Sequence, residues 1–486
     1  MSYRERHLGT ANGKSSRASA TGLRRKNARP KKNIAAQLEE KINNSTARIG
    51  VIGLGYVGLP LAVEYAAAGY EVLGIDVSAD KVKQLNRGEN YIADVDSTKL
   101  LGLVKAGKLR AAQSYSRIQD LDVIFICVPT PFTDNKEPDV SYIIDAAKGI
   151  KHGLHPGQLV ILKSTTFPET TEGIVQPILE ETGLTVGQDF FLAFSPERID
   201  PGNKKWTTVN TPIVVGGVSP ACGRLAALVS GKVIVTVKLV SSPKVAEMTK
   251  LLENIFRSVN IALVNELALL CDRMEGIDIW EVVEAAATKP FGFMPFYPGP
   301  GIGGHCILVD PYYLSWKAKA YDFHTSFIEL AAQTNENMPY YVLDLIIRSL
   351  SNNGAALKNS KLLILGVAFK KNVDDIRNSP AIRVMELLYN RGGRHLMYND
   401  PYVPVLNVNG KTYRSQALTP RLLRAADCVV IATDHDGYDY EMIARNTKLL
   451  IDTRNATKSI PDGREKIVRL GCGTNTIAAN LRSHHE

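Results

Sequence analysis

A six-residue turn, Gly53-Leu54-Gly55-Tyr56-Val57-Gly58, stands between an apolar run at 48–52 and a stretch at 59–68 that reads as a helix. A second short apolar run, 71–75, follows and ends at Asp76. G-x-G-x-x-G alone is a weak signal. Between a strand and a helix, with an acid 18 residues past its third glycine, it is the dinucleotide fingerprint of a parallel α/β unit. Its glycines admit a pyrophosphate to the helix N-terminus, whose amides and dipole favour an anion. Gly53, Gly55, Tyr56, Val57 and Gly58 are therefore the expected cofactor cradle. Asp76 suits the adenosine ribose hydroxyls and would repel a 2′-phosphate, so NAD is expected over NADP. Lys81, at the start of the next helix, is expected near the same ribose.

More βα units follow. Runs at 123–128, 159–163 and 190–194 read as buried strands, ending in Pro129-Thr130-Pro131, Ser164-Thr165-Thr166 and Ser195-Pro196-Glu197-Arg198. Ligands collect beyond the carboxyl ends of parallel strands, which marks Pro129, Thr130, Thr165 and Glu197. Helix capping explains the two threonines equally well, and a surface carboxylate explains Glu197. Near Lys361 the pattern restarts, with strands at 361–366, 427–433 and 449–452. This second doubly wound unit lacks the glycine fingerprint, but Lys370, Arg377 and Arg454 supply cations suited to phosphates.

Between the two units, residues 244–273 read as one long helix with apolar residues at Val245, Met248, Leu252, Ile255, Val259, Leu263 and Leu267. Its length suits a spine joining two domains, or a dimer interface. Glu247, Lys250 and Asn254 share one face, which ordinarily looks to solvent. An aromatic, proline-rich run at 288–298, including Tyr297, leads into Gly299-Pro300-Gly301-Ile302-Gly303-Gly304-His305-Cys306-Ile307-Leu308-Val309-Asp310-Pro311. Five of the first seven residues there are Gly or Pro, so a tight loop is expected, with helices at 311–320 and 326–351 after it. Glycines allow close approach of a ligand, which marks Gly301 and Gly303. A cysteine so placed can attack an electrophilic carbon if its thiolate is stabilised; a buried structural thiol is the plainer alternative.

The expected fold is α/β: two doubly wound Rossmann-like domains joined by a long central helix and a helical dimerisation region. The expected boundaries are a disordered basic tail at 1–45 with a short helix near 35–42, an NAD-binding domain at 46–240, a central helical region at 241–355, a nucleotide-sugar domain at 356–470, and a tail at 471–486. A chain starting near Thr46 is expected to keep its fold.

Charge and cysteine content narrow the classes. The formal +9 is misleading, because residues 1–45 hold eleven Lys/Arg against three Asp/Glu, a net +8 that leaves +1 for everything else. No nucleic-acid surface is expected. No run reaches the ~18 consecutive apolar residues of a membrane helix, and no apolar segment near the start suggests a secretory signal. Six cysteines without a CxxC pair point neither to a disulfide framework nor to a zinc site, so no metal is expected and a reducing cytoplasm fits.

Taken in order, GLGYVG with Asp76, VPTP at 128–131, SPE at 195–197, Lys250 with Asn254, GPGIGGHC and AFKKNVDDIRNSPA make the chain resemble the UDP-glucose/GDP-mannose dehydrogenase family over about residues 46–460. The resemblance implies an NAD-dependent nucleotide-sugar 6-dehydrogenase making a uronate. It implies Cys306 as nucleophile, Lys250, Asn254 and Asp310 handling the substrate hydroxyl and its oxyanion, Glu197 at thioester hydrolysis, Thr165 holding a water, and Lys370 and Arg377 near the nucleotide-sugar. Leu308 departs from the proline found in many relatives, and is expected to alter loop stiffness more than chemistry. The 288–298 run and the SPERIDPGN loop at 195–203 resemble the branch acting on UDP-N-acetylhexosamines, UDP-GlcNAc above all. That is likeness to relatives, not chemistry read from the residues. His305 is expected to be loop scaffold. The substrate is expected to be a UDP-sugar and the assembly a homodimer. A non-catalytic sensor would need the glycines and Asp76 but not the Cys, Lys, Asn and Glu together.

Overall fold

The computed structural model describes residues 33–473 apart from 93, 134, 200–202, 204, 275, 305 and 462, with backbone only for Cys306. The first sheet has eight strands: β1 (Arg48–Ile52), β2 (Glu71–Ile75), β3 (Leu109–Ala112), β4 (Val123–Ile126), β5 (Leu159–Leu162), β6 (Phe191–Phe194), β7 (Ile213–Gly217) and β8 (Val237–Val240). Their order is β3-β2-β1-β4-β5-β6-β7-β8, and every pairing is parallel except β6 with β7. β4, β5 and β6 are buried at every residue. Continuous apolar strands require cover on both faces, and two cores supply it. One gathers Val51, Tyr65, Phe125 and Ile161; the other gathers Ile52, Ile126, Leu162 and Phe194. Strand order reverses between β1 and β4, which opens a crevice where the glycine turn and Pro129-Thr130 emerge.

The second sheet has five parallel strands: β9 (Lys361–Leu365), β10 (His395–Asn399), β13 (Cys428–Ile431), β14 (Leu450–Asp452) and β15 (Ile467–Arg469), in the order β10-β9-β13-β14-β15. A hairpin of β11 (Val405–Val408) and β12 (Lys411–Arg414) flanks it. The segments after β9 and β13 face the second reversal point.

Three helices lie between the sheets: the spine Pro243–Cys271, the Cys306 helix Cys306–Ala318, and Ser326–Asn352. The spine is long and apolar enough to cross a membrane by length and composition. Here it packs on both other helices instead. Its orientation reverses expectation. Glu247, Lys250 and Asn254 are buried, while Val245, Met248, Leu252, Leu263 and Leu267 are exposed. The helix expected from Pro311 begins five residues earlier, at Cys306. Pro311 removes one helical hydrogen bond, and burial of Val309 and Tyr313 around it offsets that loss. Leu308 is thus the helix's third residue, not part of a loop.

Two boundaries also move. Ile34–Asn43 is a helix whose Leu38 and Ile42 enter the first core. The Tyr70 hydroxyl donates to the Ile42 carbonyl (2.7 Å), and Lys41 pairs with Asp122 at 2.6 Å. Residues 33–45 therefore pack on the first sheet rather than forming a tail; residues 1–32 lie outside the described part. At the other end, Gly471 and Cys472 amides donate to Asp272 Oδ1 (2.8 and 3.1 Å), at the end of the spine. Trp280 Nε1 donates to the Leu470 carbonyl, and Arg469 pairs with Asp278 at 2.8 Å. Residues 471–473 belong to the packed body, and 474–486 lie outside the described residues.

Candidate active site

The glycine turn is shaped by collision. Gly53 has φ +88°, and a Cβ there would lie 2.5 Å from the Cys127 carbonyl; one on Gly58 would lie 1.8 Å from the Gly53 carbonyl. A Cβ on Gly55 would meet nothing within 4 Å, so the space above the turn is open. No side chain caps the helix starting at Gly58, and Val57 occupies the cap position. The Leu59 amide is bonded to the Gly55 carbonyl (3.1 Å) and Pro60 has none, so an anion there would meet the amides of the turn itself and the positive end of the helix dipole. Asp76, nearly buried, accepts from the Leu54 amide (2.8 Å) and the Ser78 amide (2.9 Å), with Lys81 Nζ at 3.6 Å. Open cradle, uncapped helix and fixed carboxylate fit a dinucleotide. Tyr56 is exposed at the lip, with the Arg377 guanidinium of the other sheet 5.3 Å from its ring centroid.

Deeper in, three elements converge. Asn254 Nδ2 on the spine donates to Asp310 Oδ2 at 2.5 Å, one turn into the Cys306 helix. Burial pushes the Asp310 carboxyl up to about 6, against the pull of Lys250 and the Asn254 hydrogen bond. Tyr313, a turn further on, donates to the carbonyls of Thr130 and Pro131. The helix that Cys306 opens is thus fixed to the spine and to the turn after β4. Thr165 follows β5, half-buried. The next turn is pinned to the spine by Glu247, which accepts from the Glu169 amide (2.7 Å), the Thr171 amide (2.9 Å) and the Thr171 hydroxyl (2.7 Å). Glu169 there has φ +81°, a strained value outside glycine. Burial raises Glu247 to about 6. Glu197 turns one oxygen back onto the Arg198 and Ile199 amides (2.9 and 3.1 Å), and its other oxygen lies 3.4 Å from Lys163 Nζ.

Lys163 is the group that sequence reasoning passed over. It is a buried cation closing an apolar strand, and its charge immediately before Ser-Thr-Thr was the available signal. Glu247 was seen, but not as a strut.

The 299–304 loop departs from expectation. The side-chain direction of Gly301 and of Gly303 is filled by protein. A Cβ on Gly301 would press on Pro380 and Pro339, and one on Gly303 would lie 2.6 Å from Phe369 Cβ. The close neighbour is the second domain. Arg454, paired with Asp434 (3.1 Å), reaches Gly299: a Cβ there would lie 2.5 Å from its guanidinium. The aromatic run is surface, with Phe291 and Met294 exposed, Phe296 edge-on to Phe256 of the spine and Tyr297 stacked on Trp280. Lys370 lines a cleft of about 1060 Å³ between the domains with Tyr56, Ile199, Asn203 and Trp206. His305 and residues 200–202 lie outside the described residues. Among the described residues no cluster of His, Cys, Asp and Glu could hold a metal.

The chain matches the NAD binding domain of the UDP-glucose/GDP-mannose dehydrogenase family over residues 47–232, its central domain over 244–337 and its UDP binding domain over 363–459. It is 36% identical over 427 residues to a UDP-N-acetyl-D-mannosamine dehydrogenase of Pyrococcus horikoshii, covering 86% of this chain and 97% of the relative. It is 37% identical over 343 residues to a UDP-N-acetyl-D-glucosamine 6-dehydrogenase of Pseudomonas aeruginosa, covering 70% and 80%. The solved UDP-D-ManNAc dehydrogenase from Pyrococcus horikoshii superposes with a TM-score of 0.80 at 34% identity, covering 88% of this chain and 99% of that one. Fold, cradle and three consecutive domain matches agree: the chain is an NAD-binding oxidoreductase belonging to the UDP-glucose/GDP-mannose dehydrogenase family.

Proposed function

We propose that this chain oxidises the C6 alcohol of a UDP-N-acetylhexosamine, UDP-GlcNAc foremost, to the uronate through a thioester on Cys306. The observation that carries this reading is the buried Asn254–Asp310 hydrogen bond beside Lys250, one helical turn from Cys306. Lys250 and Asn254 stabilise the oxyanion that develops at C6, and Asp310 takes the hydroxyl proton. Cys306 adds to the resulting aldehyde as a thiohemiacetal, and its place at a helix start favours the thiolate. Oxidation of that adduct gives the thioester, and Glu197, kept in place by Lys163 and two amides, activates the water that releases the carboxylate. NAD, held at the Gly53–Gly58 turn, supplies the oxidising power for both two-electron steps. Thr165 orients the water, and Lys370, Arg377 and Arg454 hold the UDP phosphates.

The N-acetyl assignment is supported by the names of the two relatives and by the SPERIDPGN loop, whose Ile199 and Asn203 border the interdomain cleft. The exposed aromatic run gives it no support. A site built for an acetamido group strands polar groups against a plain hydroxyl at ~1–3 kcal/mol each, roughly a ten- to hundredfold preference in kcat/KM. The relative named for UDP-N-acetyl-D-mannosamine makes that sugar the second reading. A homodimer in a reducing cytoplasm, feeding uronate into surface polysaccharide, completes the proposal.

Two measurements test it: NADH formed per sugar, and kcat/KM over UDP-GlcNAc, UDP-ManNAc, UDP-GalNAc, UDP-glucose and GDP-mannose. Two NADH per sugar with UDP-GlcNAc preferred is the expected result. One NADH per sugar removes the thioester; equal kcat/KM for UDP-glucose removes the N-acetyl assignment; no NADH with any of them leaves a binding protein.

A further inference from the structure

Gly304 stands two residues before Cys306, and its peptide groups are held from the second domain. Its amide donates to the Arg377 carbonyl (2.9 Å), and its carbonyl accepts from Asn378 Nδ2 (3.1 Å). The fit leaves no slack. A Cβ on Gly304 would lie 3.0 Å from the Phe369 ring, and one on Gly303 would lie 3.0 Å from the Asn378 carbonyl. The opposing segment is itself rigid. The Phe369 amide donates to the Asp375 carbonyl (3.0 Å), and the Asp375 carboxylate accepts the Arg377 amide (3.0 Å) and pairs with its guanidinium at 2.6 Å. Asn378 adopts a left-handed backbone, φ +50°, which turns the chain toward the loop.

We propose that Asn378 is a positioning residue for the Cys306 thiol, clamping Gly304 so that the first turn of the Cys306 helix is held beside Lys250 and Asn254 only while the UDP-binding domain is seated. This rests on the reading of Cys306 as nucleophile. The clamp belongs to the domain that carries Lys370 and Arg377, and its grip falls on the one loop leading directly into the thiol. A misplacement of about 1 Å at a reacting group is enough to cost 10²-fold in rate.

The test uses the full chain with Asn378→Gly, which keeps the left-handed backbone and loses the donor, and Asn378→Asp, which keeps the shape and loses the N–H. Two readouts are taken: kcat and KM for UDP-GlcNAc, and the rate of iodoacetamide alkylation at Cys306, read by peptide mass spectrometry from about pH 6 to 9.5. The unsubstituted chain supplies the reference midpoint, set against the ~8.5 of a free thiol. Both variants are expected to move that midpoint up and to lower kcat by roughly tenfold or more, with KM within about threefold. An unchanged midpoint and kcat in both variants overturns the proposal. So does a parallel loss in kcat and KM with a lower Tm, which is what a merely structural bond would give. Alkylation needs no substrate, so a chain that oxidises no UDP-sugar fails the functional reading while this test still gives its answer.

Discussion

Asp310 is the residue at which chemistry and stability oppose each other. Its folded pKa of about 6 lies above the ordinary carboxylate value, so between about pH 4 and 6 the folded chain holds a proton that the unfolded chain has released. The stability penalty therefore grows as pH rises through that window and is complete above it. Asp310→Asn is expected to raise stability at pH 7.5 by about 1–3 kcal/mol, read by denaturant titration, while uronate formation collapses. Equal or lower stability in that variant contradicts the assigned burial cost. The kcat/KM profile should fall below about pH 6 as Asp310 takes up its proton. Glu247 also titrates near 6, and Glu247→Gln, with Asp310 intact, tells the two apart: a retained acid limb assigns the fall to Asp310. Cys306→Ser should keep NAD binding, measured by calorimetry, and lose uronate formation by orders of magnitude, because a serine alkoxide is far harder to generate. Near-normal turnover would rule out a covalent intermediate.

At the scale of elements, the N-terminal helix yields a prediction opposite to the one its composition suggested. A chain beginning at Thr46 loses the burial of Leu38 and Ile42 and the Tyr70 bond to the Ile42 carbonyl, and should be less stable by about 3 kcal/mol or more. A chain beginning at Asn33 should melt with the full-length protein. Equal Tm for the two shortened chains would show that the helix adds nothing. The helix itself was expected near 35–42, but not its docking, because the basic flank outweighs the two apolar positions, Leu38 and Ile42, in any compositional average. The glycine turn and its strands were legible because their signal is local: a few adjacent residues set both turn and register. The spine was legible as a helix but not in its orientation. Amphipathicity marks two faces without saying which one a neighbouring helix will cover, and here Asn254 finds its partner on the Cys306 helix. Gly301 and Gly303 were legible only in part. A glycine announces that something approaches closely, and the sequence does not say whether that is a ligand or, as here, Pro380 and Phe369.

At the scale of the molecule, the spine's outward stripe is too apolar to be left to water. Val245, Met248 and Leu252 line a groove of about 570 Å³ with Leu314 and Phe323, and the stripe runs on through Leu263 and Leu267. We propose that a second copy covers it. Leu263→Glu should halve the mass seen by light scattering at micromolar concentration, and an unchanged mass would send the interface elsewhere. The chain itself ties the second sheet to the rest at two places: it enters after Ser326–Asn352, and residues 469–473 return to grip Asp272 and Asp278 at the end of the spine. A rigid body fastened at two points retains a single freedom, rotation about the line through them. The Gly304 clamp is one of several further contacts made by the same body, with Arg454 at Gly299 and Arg377 at Tyr56, and a door on two hinges that meets such contacts has a stop.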